Sequence, residues 1–312
     1  MQRVTEPVLR DRLAPQRQAS KRVGLRGWAP LVLLPLAVCA LRSRVAPWKF
    51  MWLLSIAIFL GCKWQTWFFA AGRDRASVGR SLGYLLLWPG MDADEFLVGP
   101  ATQKPRSTDW LVAFAKAAAG AALIVLAARN LGSVSPLLAG WLGMLGLVLM
   151  LHFGAFNLSA LLWQMAGVNA QPIMRSPLAS TSLGEFWGKR WNIGFRELSH
   201  GLIFQPLRRR LGLVPAALAA FLASGLIHDF VISFPARGGY GLPTAYFALQ
   251  GIGVQVERSS IGRWIGAGRG VRGWLFVALF AGGPAFFLFH PTFVTRVIVP
   301  FLGAMRSTLG FR

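Results

Sequence analysis

Long apolar runs constrain this chain more than any other feature. Residues 111–128 carry a single charge, and residues 137–151 and 275–289 carry none. A helix needs roughly 20 mostly apolar residues to cross a hydrocarbon core of about 30 Å. Lipid offers no partners to backbone N–H and C=O groups, so segments of this length must pair those groups internally. Composition agrees: 54% of the residues are hydrophobic and 14% charged, where soluble domains carry about 25% charged residues. The expectation is an all-α, polytopic membrane helical bundle.

Candidate segments are residues 28–41, 48–71, 82–89, 110–128, 137–166, 213–234, 242–256, 273–289 and 293–305, or about seven to nine spans. Segment 82–89 is too short to cross and reads as re-entrant or interfacial. Segment 137–166 is long enough for one tilted helix or a kinked one. The first segment contains Pro30 and Pro35 and can be read as a span or as a re-entrant hairpin. It ends in the small-residue pattern Ala37-Val-Cys-Ala40, as signal peptides do. The basic leader before it is long, however, and many segments follow. Residues 1–26 are therefore read as a retained, disordered cytoplasmic arm, and 27–312 as one membrane-embedded domain. Cys39 and Cys62 both lie in apolar stretches without metal-ligand spacing and read as small hydrophobes.

The net charge is +22, from 33 basic and 11 acidic residues. Because the basic residues cluster between apolar segments, they read as positive-inside loops in contact with anionic lipid, not as a nucleic-acid face. Arg208, Arg209 and Arg210 precede one span; Arg258, Arg263, Arg269 and Arg272 follow its partner. Both clusters are thereby assigned to the cytoplasm, and loop 236–241, with Arg237 alone, to the other side. In the N-terminal half, Arg42, Arg44 and Lys49, then Arg73, Arg75 and Arg80, show no such alternation.

Chemistry concentrates between Ser182 and Glu257. His228 lies within an apolar helix, roughly 22 Å beyond the arginine cluster at 1.5 Å per residue. An ionisable group at that depth is costly, and is a functional candidate by default. A neutral imidazole costs less than a charged one and suits a general base. Ser224 at i−4 and Gly225 at i−3 share its face, offering a hydroxyl and a gap for a substrate chain. Asp229 follows about 100° around the helix, free to pair with Arg237, orient another polar group or face a vestibule. A helix over 191–206 would bring Asn192, Arg196 and His200 onto one face; flanked by Trp187, Trp191, Phe195 and Phe204, it reads as interfacial. His152 sits mid-span near Asn157 and reads as a packing hydrogen bond; His290, before Pro291, reads as a loop residue.

Phe186-Trp-Gly-Lys-Arg-Trp-Asn192, followed 36 positions later by the membrane histidine of Ser224-Gly-Leu-Ile-His228, resembles the wax synthase branch of the membrane-bound O-acyltransferase family. Gly83-Tyr-Leu-Leu-Leu-Trp-Pro-Gly-Met-Asp92 is similar to a segment of bacterial wax-synthase-like members, and Val256-Glu257 matches less specifically. The resemblance covers roughly residues 80–260. It implies many helices around an intramembrane tunnel, an acyl-CoA donor, a hydroxyl acceptor such as a fatty alcohol, and an Asn–His pair, here Asn192 and His228. Lys189, Arg190 and Arg208 to Arg210 lie on the assigned cytoplasmic side, available to CoA phosphates or to lipid headgroups. Trp187, Trp191, Arg196, His200, Ser224, Gly225 and Asp229 complete the expected substrate-binding set. Acyl-CoA acts as a co-substrate; no cofactor and no metal is expected. A sterol, a glycan or a secondary metabolite is the alternative acceptor. A transporter or flippase using His228 as a proton relay is the alternative from another class. The Arg-, Ala- and Gly-rich composition points to a bacterial plasma membrane.

Overall fold

The computed structural model describes residues 24–311, which form helices and no strands; the arm through residue 23 lies outside them. In chain order the helices are α1 (Leu25–Cys39), α2 (Pro47–Phe69), α3 (Val78–Leu87), α4 (Ala93–Val98), α5 (Ser107–Arg129) and α6 (Pro136–Met165). There follow α7 (183–190), α8 (193–211), α9 (Leu213–Ala236), α10 (Leu242–Arg258), α11 (Ser260–Ile265), α12 (Gly270–Leu288) and α13 (291–308).

Four of them, α5, α6, α9 and α12, are long and apolar enough to cross a membrane. Their outward faces carry large apolar side chains, among them Leu111 and Phe114 on α5, Leu226 on α9 and Leu279 on α12, all more than half exposed. Such a surface would be untenable in water but matches lipid. The chain is an integral membrane protein. Segment 28–41 is a single helix despite its prolines, not a hairpin, and α1 packs closely on α2: a Cβ on Gly61 would lie 2.4 Å from the Leu31 Cα. Residues 136–165 form one continuous helix, which crosses α5 at glycines: a Cβ on Gly120 would lie 2.4 Å from the Met150 backbone nitrogen. Lipid provides no hydrophobic drive between helices, so close backbone approach at small residues holds such pairs together.

Six helical stretches among the described residues are π-wound, at 148–155, 186–190, 200–204, 229–233, 278–282 and 294–298. Each extra residue in a turn swings the following side chains to a new face, and π-bulges recur at functional sites. Those at 186–190 and 200–204 line the cavity described next, and the one at 229–233 begins directly after its lining residue His228.

Candidate active site

A cavity of about 310 Å³ lies between α7, α8, α9 and α10, with Asn192, His200, Ser224 and His228 among its lining residues. That volume is at the lower end of the roughly 300–1,000 Å³ of small-ligand sites.

His228 closes the α-helical part of α9, immediately before the π stretch. Its Nδ1 is 2.7 Å from the carbonyl oxygen of Ser224, one turn back. A carbonyl only accepts, so Nδ1 carries the proton and donates it there; in the neutral ring Nε2 is left with the lone pair. The imidazole lies against Phe247 of α10, ring centroids 4.4 Å apart.

Asn192 lines the same cavity from the start of α8. It precedes α8 with φ +43°, one of three described non-glycine residues at positive φ, a region that Asn tolerates better than most side chains. Its Oδ1 accepts from the Phe195 backbone N–H at 3.3 Å, capping the helix. With Oδ1 so committed, the Nδ2 group is the amide's free donor. The helix therefore starts at Ile193 and not at 191, with Asn192 as its cap. Asn192, Arg196 and His200 nonetheless line the same cavity. His200 accepts at Nε2 from the Gln205 side-chain amide, 2.8 Å away. Burial, with Arg196 and Arg208 nearby, lowers its pKa from the ordinary histidine value.

Trp187 and Trp191 form the aromatic side. The Trp187 indole donates to Gln250 Oε1 at 3.2 Å, and Gln250, fully buried, donates in turn to the Phe280 carbonyl at 2.6 Å. Trp191 stacks on Phe186 (centroids 5.5 Å, 12°) and on His152 (6.4 Å, 18°). The Nδ1 of His152 and the Oδ1 of Asn157 are each buried without a hydrogen-bond partner. The packing hydrogen bond expected for His152 is thus absent, and its ring backs the indole instead.

Four expected contributors stand elsewhere. Gly225 offers no room to a substrate: its face is filled by α10, where a Cβ would lie 2.7 Å from the Thr244 Cα. Asp229 is spent on the turn between α9 and α10, accepting from Ser233 Oγ at 2.8 Å, from the backbone N–H groups of Gly241 (2.9 Å) and Thr244 (3.0 Å), and from Thr244 Oγ1. Arg190 pairs with Glu185 at 2.7 Å and donates to the carbonyls of Arg175 and Ser176, tying α7 to the preceding loop. A hydrogen bond from the Thr181 N–H, and then Arg190, hold the Glu185 carboxyl below its usual range. Lys189 is exposed and does not line the cavity. His290, read as a loop residue, is 1% exposed; it caps α13 and its Nε2 lies 3.2 Å from Ser233 Oγ.

Conversely, Phe247 and Val254 of α10 line the cavity without having been singled out, as does Arg258, read only as a loop charge. Glu257, beside Arg258, accepts the backbone N–H groups of Leu183 and Gly184, so a carboxylate sits at the start of α7 where the helix dipole favours it. The Val256-Glu257 resemblance was the one signal that pointed to α10.

Residues 170–249, which bring the aromatic strip, Asn192 and His228 together, match the model of the Membrane bound O-acyl transferase family. That match covers 80 of the chain's 312 residues. The chain is 27% identical over 145 residues (41% of each chain) to a probable long-chain-alcohol O-fatty-acyltransferase 7 of Arabidopsis thaliana. With the long-chain-alcohol O-fatty-acyltransferase of Simmondsia chinensis it shares 34% over 101 residues, 29% of this chain and 28% of that one. An acyl-CoA–sterol O-acyltransferase 1 of Arabidopsis thaliana is 23% identical over 112 residues, 32% of each. The matches span less than half the length of each of these relatives.

Proposed function

We propose that the chain transfers a long-chain acyl group from acyl-CoA to a lipid hydroxyl, a fatty alcohol being the acceptor that the relatives' names favour. The observation that carries the reading is the single cavity onto which His228, its Nδ1 committed to a backbone carbonyl, and the amide of Asn192 both open. The thioester is already activated, so the alcohol must be made nucleophilic. His228 Nε2 takes the hydroxyl proton as the alcohol oxygen attacks the thioester carbonyl, a role that contributes typically 10²–10⁴-fold. The Asn192 Nδ2 donates to the oxyanion as it develops; loss of such a donor costs about 2.7–4 kcal/mol elsewhere. Collapse breaks the C–S bond, the new ester is released, and the proton on His228 passes to the departing thiolate to give CoA-SH. Arg196 and Arg258, both lining the cavity, suit the CoA phosphates. The mechanism uses no cofactor.

The test is release of CoA-SH and formation of ester by purified protein given labelled acyl-CoA and a panel of fatty alcohols and sterols. His228→Ala is expected to lose about 10²–10⁴-fold in turnover, and Asn192→Ala roughly 10²–10³-fold. Full activity in both variants refutes the site. Ester formed on sterols alone keeps the chemistry and changes the acceptor. Solute movement without ester returns the protein to the transporter class.

A further inference from the structure

At the far end of α9 from the cavity, three arginines from distant parts of the chain line a second, open cavity: Arg42 between α1 and α2, Arg237 just after α9, and Arg296 in α13. No carboxylate lines it. The two ion pairs among the described residues, Arg73–Asp74 and Arg190–Glu185, lie elsewhere. The guanidinium groups are held by uncharged oxygens. Arg42 donates to the Phe234 carbonyl (3.2 Å) and the Tyr240 hydroxyl (3.4 Å), Arg237 to the Arg42 carbonyl (3.4 Å), and Arg296 to the carbonyls of Ala236 (3.4 Å) and Arg237 (3.2 Å). Arg42 also lies 3.8 Å over the Phe234 ring, and its Nε is buried with no partner. Arg237 holds φ +53°, a strained setting for a side chain of its size. Carbonyls orient these cations without neutralising them. Asp229, in the last turns of α9, has its oxygens taken by Ser233, Gly241 and Thr244.

We infer that this cavity binds a phosphate-bearing anion, and that in the membrane the occupant is the headgroup of an anionic phospholipid. The 24 residues of α9 extend about 36 Å, enough to carry Arg237 out of a core of about 30 Å to headgroup level. Guanidinium forks match phosphate oxygens geometrically. The remaining walls, Thr295 apart, are apolar and include Val45, Phe50 and Pro300, as the glycerol and upper acyl region of a lipid requires. The site also accounts for charges that the loop pattern left without order: the 42–49 segment meets loop 236–241, so that end is more basic than its own single arginine indicated. Nine positions of helix separate Arg237 from His228, about 13 Å along the axis, so the site is distinct from the transfer cavity and does not depend on the proposed reaction.

Native mass spectrometry of the full chain, equilibrated with equal phosphatidylglycerol and phosphatidylcholine, reads the preference directly. Wild type is expected to retain one phosphatidylglycerol with at least about fivefold enrichment over phosphatidylcholine. The double variant Arg237→Asn/Arg296→Gln, with Asn chosen because it accepts positive φ, is expected to fall toward parity. Arg44→Gln, exposed on the same loop but outside the cavity, is expected to keep the enrichment. Should the double variant fail to fold, Arg296→Gln alone carries the test. Equal binding of the two lipids by wild type, or undiminished enrichment in the cavity variant, overturns the inference. Loss of enrichment in Arg44→Gln as well reduces it to general surface charge and overturns it. Displacement of the lipid by millimolar inorganic phosphate assigns the site to the free anion and overturns the lipid as its occupant.

Discussion

Gly225→Ala is a one-methyl test of how α9 presents His228. Two effects oppose each other. Alanine is favoured over glycine in a helix by about 0.8–1.0 kcal/mol, so an unhindered site gains stability. Here the new Cβ meets the Thr244 Cα at 2.7 Å and the Phe247 Cβ at 3.3 Å, where ordinary contact begins at 3.4 Å. The first obstacle is backbone, so no rotamer change relieves it, and α9 must part from α10 by about 0.7 Å. Overpacking of this kind costs typically 1–3 kcal/mol, which outweighs the propensity gain. The movement falls three residues from His228, whose ring rests on that same Phe247. A misplacement of about 1 Å can cost 10²-fold in rate, so a loss of about 10–100-fold in kcat is expected. Thermal unfolding in detergent should show a lowered Tm, and the ester assay a lowered kcat with KM for acyl-CoA little changed. Gly201→Ala, with nothing within 4 Å of its Cβ, is the control and should keep turnover, with Tm unchanged or raised. Wild-type Tm and turnover in Gly225→Ala would refute the close α9–α10 contact and with it the positioning of the base.

Trp187→Phe deletes the donor to the buried Gln250 Oε1; an orphaned buried acceptor costs about 1–3 kcal/mol, readable as a Tm drop that Gln250→Leu in the same background should partly restore. Arg258→Gln is expected to raise KM for acyl-CoA several-fold while kcat stays within about twofold, since a charge gripping CoA phosphates binds ground and transition states alike. Glu197 of α8 has its pKa raised to about 7, first by burial and then by Asp92. Because that pKa lies above the unfolded value of about 4.3, the stability it contributes is fully present below pH 4 and is lost as pH rises to 7. Glu197→Gln should accordingly raise Tm at pH 8, by at most about 4 kcal/mol of stability, and leave it unchanged at pH 4; equal Tm values at pH 8 would contradict the burial.

The membrane class and His228 were legible because each rests on residue type and spacing, whereas Asn192 was joined to His228 only through the resemblance of the 186–192 string. Apolar runs report helices, and an imidazole amid aliphatic side chains announces itself. What stayed hidden depends on packing across elements. The Gly225 gap is visible in the sequence, but nothing local says that Thr244, nineteen residues on, fills it. Asp229 looked available until the turn into α10 returned the backbone N–H groups of Gly241 and Thr244 to it. Arg190 looked free because Glu185 lies five residues away, a spacing that meets across a π turn but not across an α-helix, where partners stand three or four apart. π-winding has no composition signal, so the face on which Asn192, Arg196 and His200 meet could be counted but not its start.

How His228 is oriented bears on why the cavity can stay open around it. A base usually needs a second group to choose which ring nitrogen keeps the proton. If a carboxylate on a neighbouring helix did so, that helix would have to stand against the imidazole, and a charge would be buried beside it. Here the Ser224 carbonyl of the same helix does the work, so the choice comes with the backbone and occupies no space in the cavity. The adjacent carboxylate, Asp229, is drawn away into four hydrogen bonds at the α9–α10 turn. The π stretch that begins at Asp229 lets consecutive residues serve these two purposes. An Asp229→Asn variant should therefore disturb the turn, where the amide nitrogen cannot accept from Thr244, and lower Tm. The fall in kcat should be no more than the loss of stability explains, because Asp229 does not select the tautomer. A large loss of kcat at unchanged Tm would instead make Asp229 the group that orients His228.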